Sequence, residues 1–248
     1  MINDDDFFRE LSEGLPRQGP GSTESTLRAL AMVLGLPPRP RVLDIGCGPG
    51  AQTIELARAT GGTIVALDFS PRFLKELEAR ARQAGVANQI VTLRGSMFEM
   101  RFGNEEFDLI WSEGAIYIMG FAAGLAACRR FLKRGGWLAL SELTWLTDNP
   151  PVEAEQFWIK NYPALTTIEA NRRSAADAGY DNIQSFVLPA TDFWNYYGPA
   201  EARLHEVRTR HAGDPQVAAR LAEAQLEYDL YRKYSDAYGY VFYVMRKP

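Results

Sequence analysis

The chain has 248 residues, a formal net charge of −4 and 2 cysteines, a length that lets one α/β unit bury a large core. The acidic balance, with no basic run longer than pairs such as Arg129-Arg130 and Arg172-Arg173, excludes a broad polyanion footprint, so nucleic acid is not expected as a partner. Cys47 and Cys128 are too few for a disulfide framework, no apolar run reaches membrane-spanning length, and residues 1–6 lack a signal-peptide layout, which points to a cytoplasmic protein with no membrane partner.

Residues 7–11 read as a helical piece. Leu15-Pro16-Arg17-Gln18-Gly19-Pro20-Gly21 then mixes two prolines with glycines and admits no regular element. It is either a connector or a lid whose Arg17 and Gln18 reach a ligand carboxylate. Ser22 can cap a helix running to about residue 34. Residues 41–45 form a buried strand leading into Gly46-Cys47-Gly48-Pro49-Gly50, three glycines spaced two apart, and a helix follows at 52–60. A second strand at 63–68 closes on Asp68. Ser70-Pro71 has the form of a capped helix start, and that helix runs to about Gly85.

Strands at 89–93 and 107–111, a helix at 122–132, the turn Lys133-Arg134-Gly135-Gly136 and a strand at 137–141 continue the alternation. Such alternation predicts an α/β fold, a doubly wound sheet of mostly parallel strands flanked by helices. After Glu142 the pattern changes. Pro150-Pro151 opens a helix through Trp158, a second spans 167–178, and a strand at 183–188 stops at Pro189. Residues 190–237 are helical and polar-aromatic, and Tyr238–Met245 is a final strand. The expected organisation is one domain over 1–248: an N-terminal lid and helix (1–35), a cofactor-binding core (40–142), and a helical cap (190–237) inserted before the last strand.

A glycine-rich strand-to-helix turn announces a nucleotide-type ligand without naming it, because Gly46-x-Gly48-x-x-Ala51 also fits the dinucleotide pattern. Electrostatics separates the candidates. A pyrophosphate wants free backbone N–H groups, and Pro49 removes one. Asp44 lies two residues before Gly46. Unit charges ~4 Å apart at an effective dielectric near 20 interact by roughly 4 kcal/mol, so Asp44 is expected to repel a phosphate and attract a sulfonium or ammonium. Asp68 suits a carboxylate that accepts from ribose hydroxyls. Each acid also has a plainer role, Asp44 capping the next loop and Asp68 solvating a turn.

Val42-Leu43-Asp44-Ile45-Gly46-Cys47-Gly48-Pro49-Gly50, then Asp68, Phe107-Asp108-Leu109-Ile110 and Leu132-Lys133-Arg134-Gly135-Gly136-Trp137-Leu138 occur in that order. Together they resemble a class I S-adenosylmethionine-dependent methyltransferase of the small-molecule type, the quinone-biosynthesis methyltransferases being the most similar branch. A bacterial subgroup with Arg-Gln-Gly-Pro-Gly near its N-terminus and Trp-Ser-Glu-Gly-Ala-Ile-Tyr after the fourth strand is also similar. The resemblance implies a seven-stranded sheet with only the last strand antiparallel, and S-adenosyl-L-methionine as cofactor. It places Asp44 and the loop of Gly46, Gly48 and Gly50 at the methionine amino group, Asp68 at the ribose, and Ser96 and Met97 at the adenine. Many relatives carry an aspartate at the Ser96 position, and Ser96 is a departure from that pattern.

Methyl transfer from a sulfonium is an in-line displacement, for which orientation alone is worth roughly 7–11 kcal/mol. A base is required only where the acceptor must lose a proton early. The place for one is the end of the fourth strand, where Glu113 could deprotonate or anchor an acceptor and Tyr117 orient it. Glu113 fits a turn cap or a contact to the cofactor amino group equally well. The Asp/Asn-Pro-Pro-Tyr motif of nucleic-acid and protein amide methyltransferases is absent, which favours a small-molecule substrate. His205 and His211 have no partner at metal-ligand spacing, so no metal is expected. All of the 11 tyrosines except Tyr117 lie beyond residue 150, where they either pack the cap or line a pocket for an aromatic or cationic acceptor. A nicotinamide-dependent oxidoreductase and a non-catalytic nucleoside-binding module stand as alternatives, and a homodimer is compatible with the chain.

Overall fold

The computed structural model describes residues 4–248. Residues 1–3, part of the segment scanned for a signal peptide, lie outside the described residues. The strands are β1 (Arg41–Ile45), β2 (Thr63–Asp68), β3 (Ile90–Arg94), β4 (Phe107–Glu113), β5 (Leu132–Trp145), β6 (Asp181–Val187) and β7 (Tyr238–Arg246). They form one 7-stranded sheet in the order β3-β2-β1-β4-β5-β7-β6. Strands β1 to β5 pair in parallel, and only β7 runs antiparallel to its neighbours β5 and β6. The expected topology is thereby met.

The helices are α1 (Asp4–Ser12), α2 (Thr23–Ala31), α3 (Ala51–Thr60), α4 (Pro71–Gln83), α5 (Phe121–Phe131), α6 (Val152–Asn161), α7 (Ile168–Asp177), α8 (Ala190–Arg210) and α9 (Pro215–Tyr234). Side chains alternate across each strand, so neighbouring residues feed opposite layers. Val42, Leu109, Trp111 and Phe242 pack with residues of α3 and α4 such as Leu56 and Leu77. Leu43, Ile110, Leu138 and Tyr243 pack with Leu125 and Phe131 of α5 and Ala175 of α7. The Ser70 hydroxyl accepts from the Phe73 N–H, with Pro71 at the first helical position, as its sequence signature requires.

Among the bounds that differ from expectation are those of β5 and α2. The residues predict the Gly135-Gly136 turn outside the fifth strand, yet β5 begins at Leu132, because Gly135 N–H donates to Lys247 O and Lys247 N–H donates to Gly136 O, both at 2.8 Å. The turn is drawn into the sheet by a partner more than a hundred residues away. At its other end β5 runs past Ser141, its last pairing with β4, to Trp145, which pairs with Tyr238 of β7. Helix α2 ends at Ala31 rather than near residue 34, its last turn tightening as Met32 N–H bonds Ala29 O at 3.1 Å.

The overrun of β5 and β7 carries a third apolar cluster. Leu143, Trp145 and Tyr238 pack there with Phe7 of α1, Trp158 of α6 and Phe193 of α8. The Phe193 and Tyr231 rings stack at 3.8 Å between centroids, joining α8 to α9. Helices α8 and α9, inserted between β6 and β7, therefore stand over the carboxyl ends of the parallel strands, where a ligand of this fold binds.

Candidate functional site

The loop between β1 and α3 borders a cavity of about 590 Å³. Asp68 and Phe69 reach it from the end of β2, Ser96 and Met97 from the end of β3, Glu113 and Gly114 from the end of β4, and Arg17 and Gln18 from the N-terminal segment. Strand ends, not neighbours in sequence, bring these groups together.

Backbone hydrogen bonding decides which ligand the loop can take. Gly46 and Cys47 donate their N–H groups to Leu67 O at 2.8 and 3.1 Å, and Gly50 donates to Cys47 O at 3.1 Å. Gly48 N–H donates to Asp68 Oδ2 at 2.8 Å. Pro49 has no N–H to give. Residues 46–50 therefore offer no free donor to a pyrophosphate. Two of the glycines answer to the protein's own packing. A Cβ on Gly50, at φ 88°, would lie 2.1 Å from Leu77 Cδ1, and one on Gly46, at φ 69°, would lie 2.4 Å from Ala115 Cβ.

Asp44 does not face the cavity. It is fully buried, accepts from Thr53 Oγ1 at 2.6 Å and from Gln52 Nε2 at 3.3 Å, and does not line the wall. Burial pushes its carboxyl up to about 7, against the hydrogen bonds from Thr53 and Gln52. Gln52, which does line the cavity, donates to both Asp44 and Cys47 O. Asp68 stays at the wall, Oδ1 accepting from Ser70 N–H and Oδ2 from Gly48 N–H, both at 2.8 Å. Its carboxyl is raised, burial outweighing those bonds.

Glu113 is committed to protein partners. It accepts from Arg17 Nη2 at 2.6 Å, Thr26 Oγ1 at 2.7 Å and Trp111 Nε1 at 2.9 Å. The Arg17 and Gln18 segment, which the residues alone left open between connector and lid, is anchored in place. Gln18 Nε2 donates to Ser12 O at 3.0 Å, Arg80 Nη1 to Pro16 O at 2.8 Å, and Gly21 N–H to Asp192 O of α8 at 3.0 Å. Arg17 Nε is buried without a partner. Ser96 Oγ accepts from Phe98 N–H at 3.2 Å and keeps its own proton to donate.

A second cavity of about 280 Å³ shares Gln18, Gly114, Tyr117 and Tyr196 with the first. Tyr117 stands on the common wall, its ring 5.8 Å from that of Tyr162. His211 bonds Glu10 at 3.1 Å, and no cluster able to hold a metal occurs among the described residues. Nor is any helix among them long and apolar enough to cross a membrane.

Residues 42–136 match the sequence profile described as a methyltransferase domain. The chain is 28% identical over 182 residues to the uncharacterized protein YjhP of Escherichia coli, covering 72% of each chain. It is 26% identical over 229 residues to the 27-O-demethylrifamycin SV methyltransferase of Amycolatopsis mediterranei, covering 88% of this chain and 81% of the relative. A solved structure of a SAM-dependent methyltransferase from Geobacter sulfurreducens, in complex with S-adenosyl-L-homocysteine, superposes with a TM-score of 0.82 at 21% identity over 100% of both chains. The chain carries a methyltransferase domain. The methyl donor of this family is S-adenosyl-L-methionine, and the engaged loop that refuses a pyrophosphate agrees with it.

Several residues at the methyltransferase site were not singled out from the sequence. Phe69 and Phe98 are 73% and 64% exposed, on the rim of the larger cavity, where large apolar groups are costly without a ligand to cover them. For Phe69 a signal existed, an aromatic side chain directly after the strand-end acid Asp68. Gln52 and Tyr196 carried none, since a polar residue in one helix and a tyrosine in another declare no cavity by themselves.

Proposed function

We propose that this methyltransferase moves a methyl group to a small-molecule acceptor in the smaller cavity while the donor occupies the larger one. The sharing of walls between the two cavities carries this reading, because in-line displacement needs acceptor and donor held end to end. S-adenosyl-L-methionine, when bound, supplies an activated methyl group on a sulfonium. The residues fit it. Asp68 keeps lone pairs for ribose hydroxyls, and Phe69 and Phe98 with Met97 offer apolar faces to the adenine. Ser96 supplies a hydroxyl at the adenine edge, the Arg17 Nε–H is free for the amino-acid carboxylate, and the loop of Gly46, Gly48 and Gly50 lies against the methionine portion. Asp44 shapes that loop through Gln52 and Thr53.

Glu113 holds Arg17, and with three donors already on its oxygens it has no place as a base. Tyr117 is the residue we assign to orient the acceptor. Enclosure first, then the charges of Glu227 and Glu142, raises its phenol, so it stays protonated and donates. In this division of labour residues 40–142 hold the donor, 190–237 close the acceptor side, and the described part of the N-terminal lid and helix, 4–35, covers the donor cavity. The cytoplasm is the compartment that suits two buried free thiols, Cys47 and Cys128.

Thermal unfolding with S-adenosylmethionine, S-adenosylhomocysteine and NAD tests the donor. Stabilisation by the first two is expected, and stabilisation by NAD alone overturns the reading. Incubation with labelled donor and fractionated cell metabolites, followed by mass analysis, then identifies the molecule that gains a methyl group.

A further inference from the structure

The two cavities differ in charge. The smaller one is walled by the rings of Trp158, Tyr162, Tyr196, Tyr197 and Tyr240 and by one carboxylate, Glu227, with no lysine, arginine or histidine among the described lining residues. Its other polar side chains, Gln18 and Asn161, are neutral amides. Behind the rings stand two phenol–carboxylate pairs. Tyr197 OH donates to Glu227 Oε1 at 2.6 Å, and Tyr162 OH donates to Glu142 Oε1 at 2.6 Å.

Neither acid has a cationic partner among the described residues. Glu142 is 1% exposed and its Oε2 is buried without any hydrogen bond. Burial pushes Glu142 up to about 8 and raises Glu227 as well, in each case against the phenol that donates to it. Arg17 is paired to Glu113 and lines the larger cavity. A cavity bounded by ring faces, which are electron-rich, and by a carboxyl group with no cationic partner among the described residues favours positive charge over negative.

We propose that the smaller cavity takes its acceptor as a cation, a small molecule bearing an ammonium group that sits against the tyrosine faces and pairs with Glu227, with Glu142 behind Tyr162 ionising as the cation arrives. This rests on the assignment of that cavity to the acceptor. A carboxylate or phosphate on the acceptor would face Glu227 with no lysine, arginine or histidine on the described wall. A neutral aromatic molecule would leave both acids uncompensated.

Three probes of nearly one shape and different charge test it: tetramethylammonium, tert-butanol and pivalate, titrated calorimetrically into the full chain saturated with S-adenosylhomocysteine. Tetramethylammonium is expected to bind about tenfold more tightly than tert-butanol, and pivalate not at all. Glu227→Gln and Glu142→Gln are each expected to weaken tetramethylammonium about tenfold, with circular dichroism and S-adenosylhomocysteine binding as the check on folding. Equal binding of the cationic and neutral probes, preference for pivalate, or indifference of folded variants overturns the proposal, and the probe comparison on the unaltered protein stands without any variant. The first step separates the two levels. Failure to bind S-adenosylhomocysteine removes the methyl-transfer reading, whereas binding it without a preference for the cation removes only the ammonium acceptor.

Discussion

Arg17 and Glu113, 96 positions apart in sequence, form an ion pair at 2.6 Å with side chains only 12% and 4% exposed. The pair joins the proline- and glycine-rich N-terminal segment to the end of β4, and so fixes one wall of the donor cavity. Removing one partner of a buried pair strands the other charge, at a cost of about 3–5 kcal/mol. Glu113→Ala is therefore expected to lower stability by about that much, and the Trp111 and Thr26 donors lose their acceptor too. Denaturant unfolding checks this. A double variant in which Arg17 is also replaced by Met is expected to recover part of the loss; strictly additive losses would show that the pair does not couple the segment to the strand.

Asp44 gives the ligand-free protein a pH dependence. Its carboxyl sits at about 7 when folded against an ordinary aspartate value of 3.8, so its contribution is fully present below the unfolded value and is lost as pH rises through the folded one. Glu142, pushed up to about 8 from 4.5, acts in the same direction. Asp44→Asn retains an acceptor for Thr53 and removes the titration. Between about pH 5 and pH 8 the unaltered protein is expected to lose on the order of 1–3 kcal/mol more than the variant. Parallel profiles from urea midpoints across that range would refute the assignment.

Asp68 makes two backbone hydrogen bonds and faces the cavity. Asp68→Ala removes charged acceptors of the kind worth about 1.5–3 kcal/mol each, so the dissociation constant for S-adenosylhomocysteine is expected to rise about 10- to 100-fold. Calorimetric titration reads this directly, and an unchanged constant excludes Asp68 from the ribose contact.

Phe69 separates binding from stability. At 73% exposed it contributes little to the core. Base stacking on an aromatic side chain is worth about 1–3 kcal/mol, so Phe69→Ala is expected to weaken S-adenosylhomocysteine by about 5- to 100-fold. The melting temperature of the ligand-free protein should barely move. A large drop in that temperature with unchanged affinity would make Phe69 a packing residue instead.

Gly50 tests whether the loop is shaped by the protein. Alanine there meets a left-handed backbone at about 1–2 kcal/mol and the Leu77 side chain at about 1–3 kcal/mol more. Gly50→Ala is expected to destabilise by the sum of these, and Leu77→Ala in the same background to cost less than it does alone. A double-mutant cycle measures that coupling.

The sheet and the donor family were legible in the residues because both rest on local signals: apolar runs closed by Asp44 and Asp68, capped helix starts such as Ser70-Pro71, and glycines spaced two apart. Pairing ends were not legible. The extension of β5 to Trp145 exists because Tyr238 lies beside it, and the inclusion of Gly135 because Lys247 does. Residue chemistry nominated Asp44 and Glu113 correctly as acids at strand ends, but a carboxylate type does not say which way it points. Packing turned Asp44 inward to Thr53 and Gln52 and gave Glu113 to Arg17. The sequence alone determined a nucleotide-type loop, its strand-end acids and the order of the elements, since these depend on neighbours within a few residues. The tertiary structure alone decided which acids are engaged, which aromatic groups rim the cavity and which rings wall the second one, since those depend on side chains that meet only after distant segments fold together.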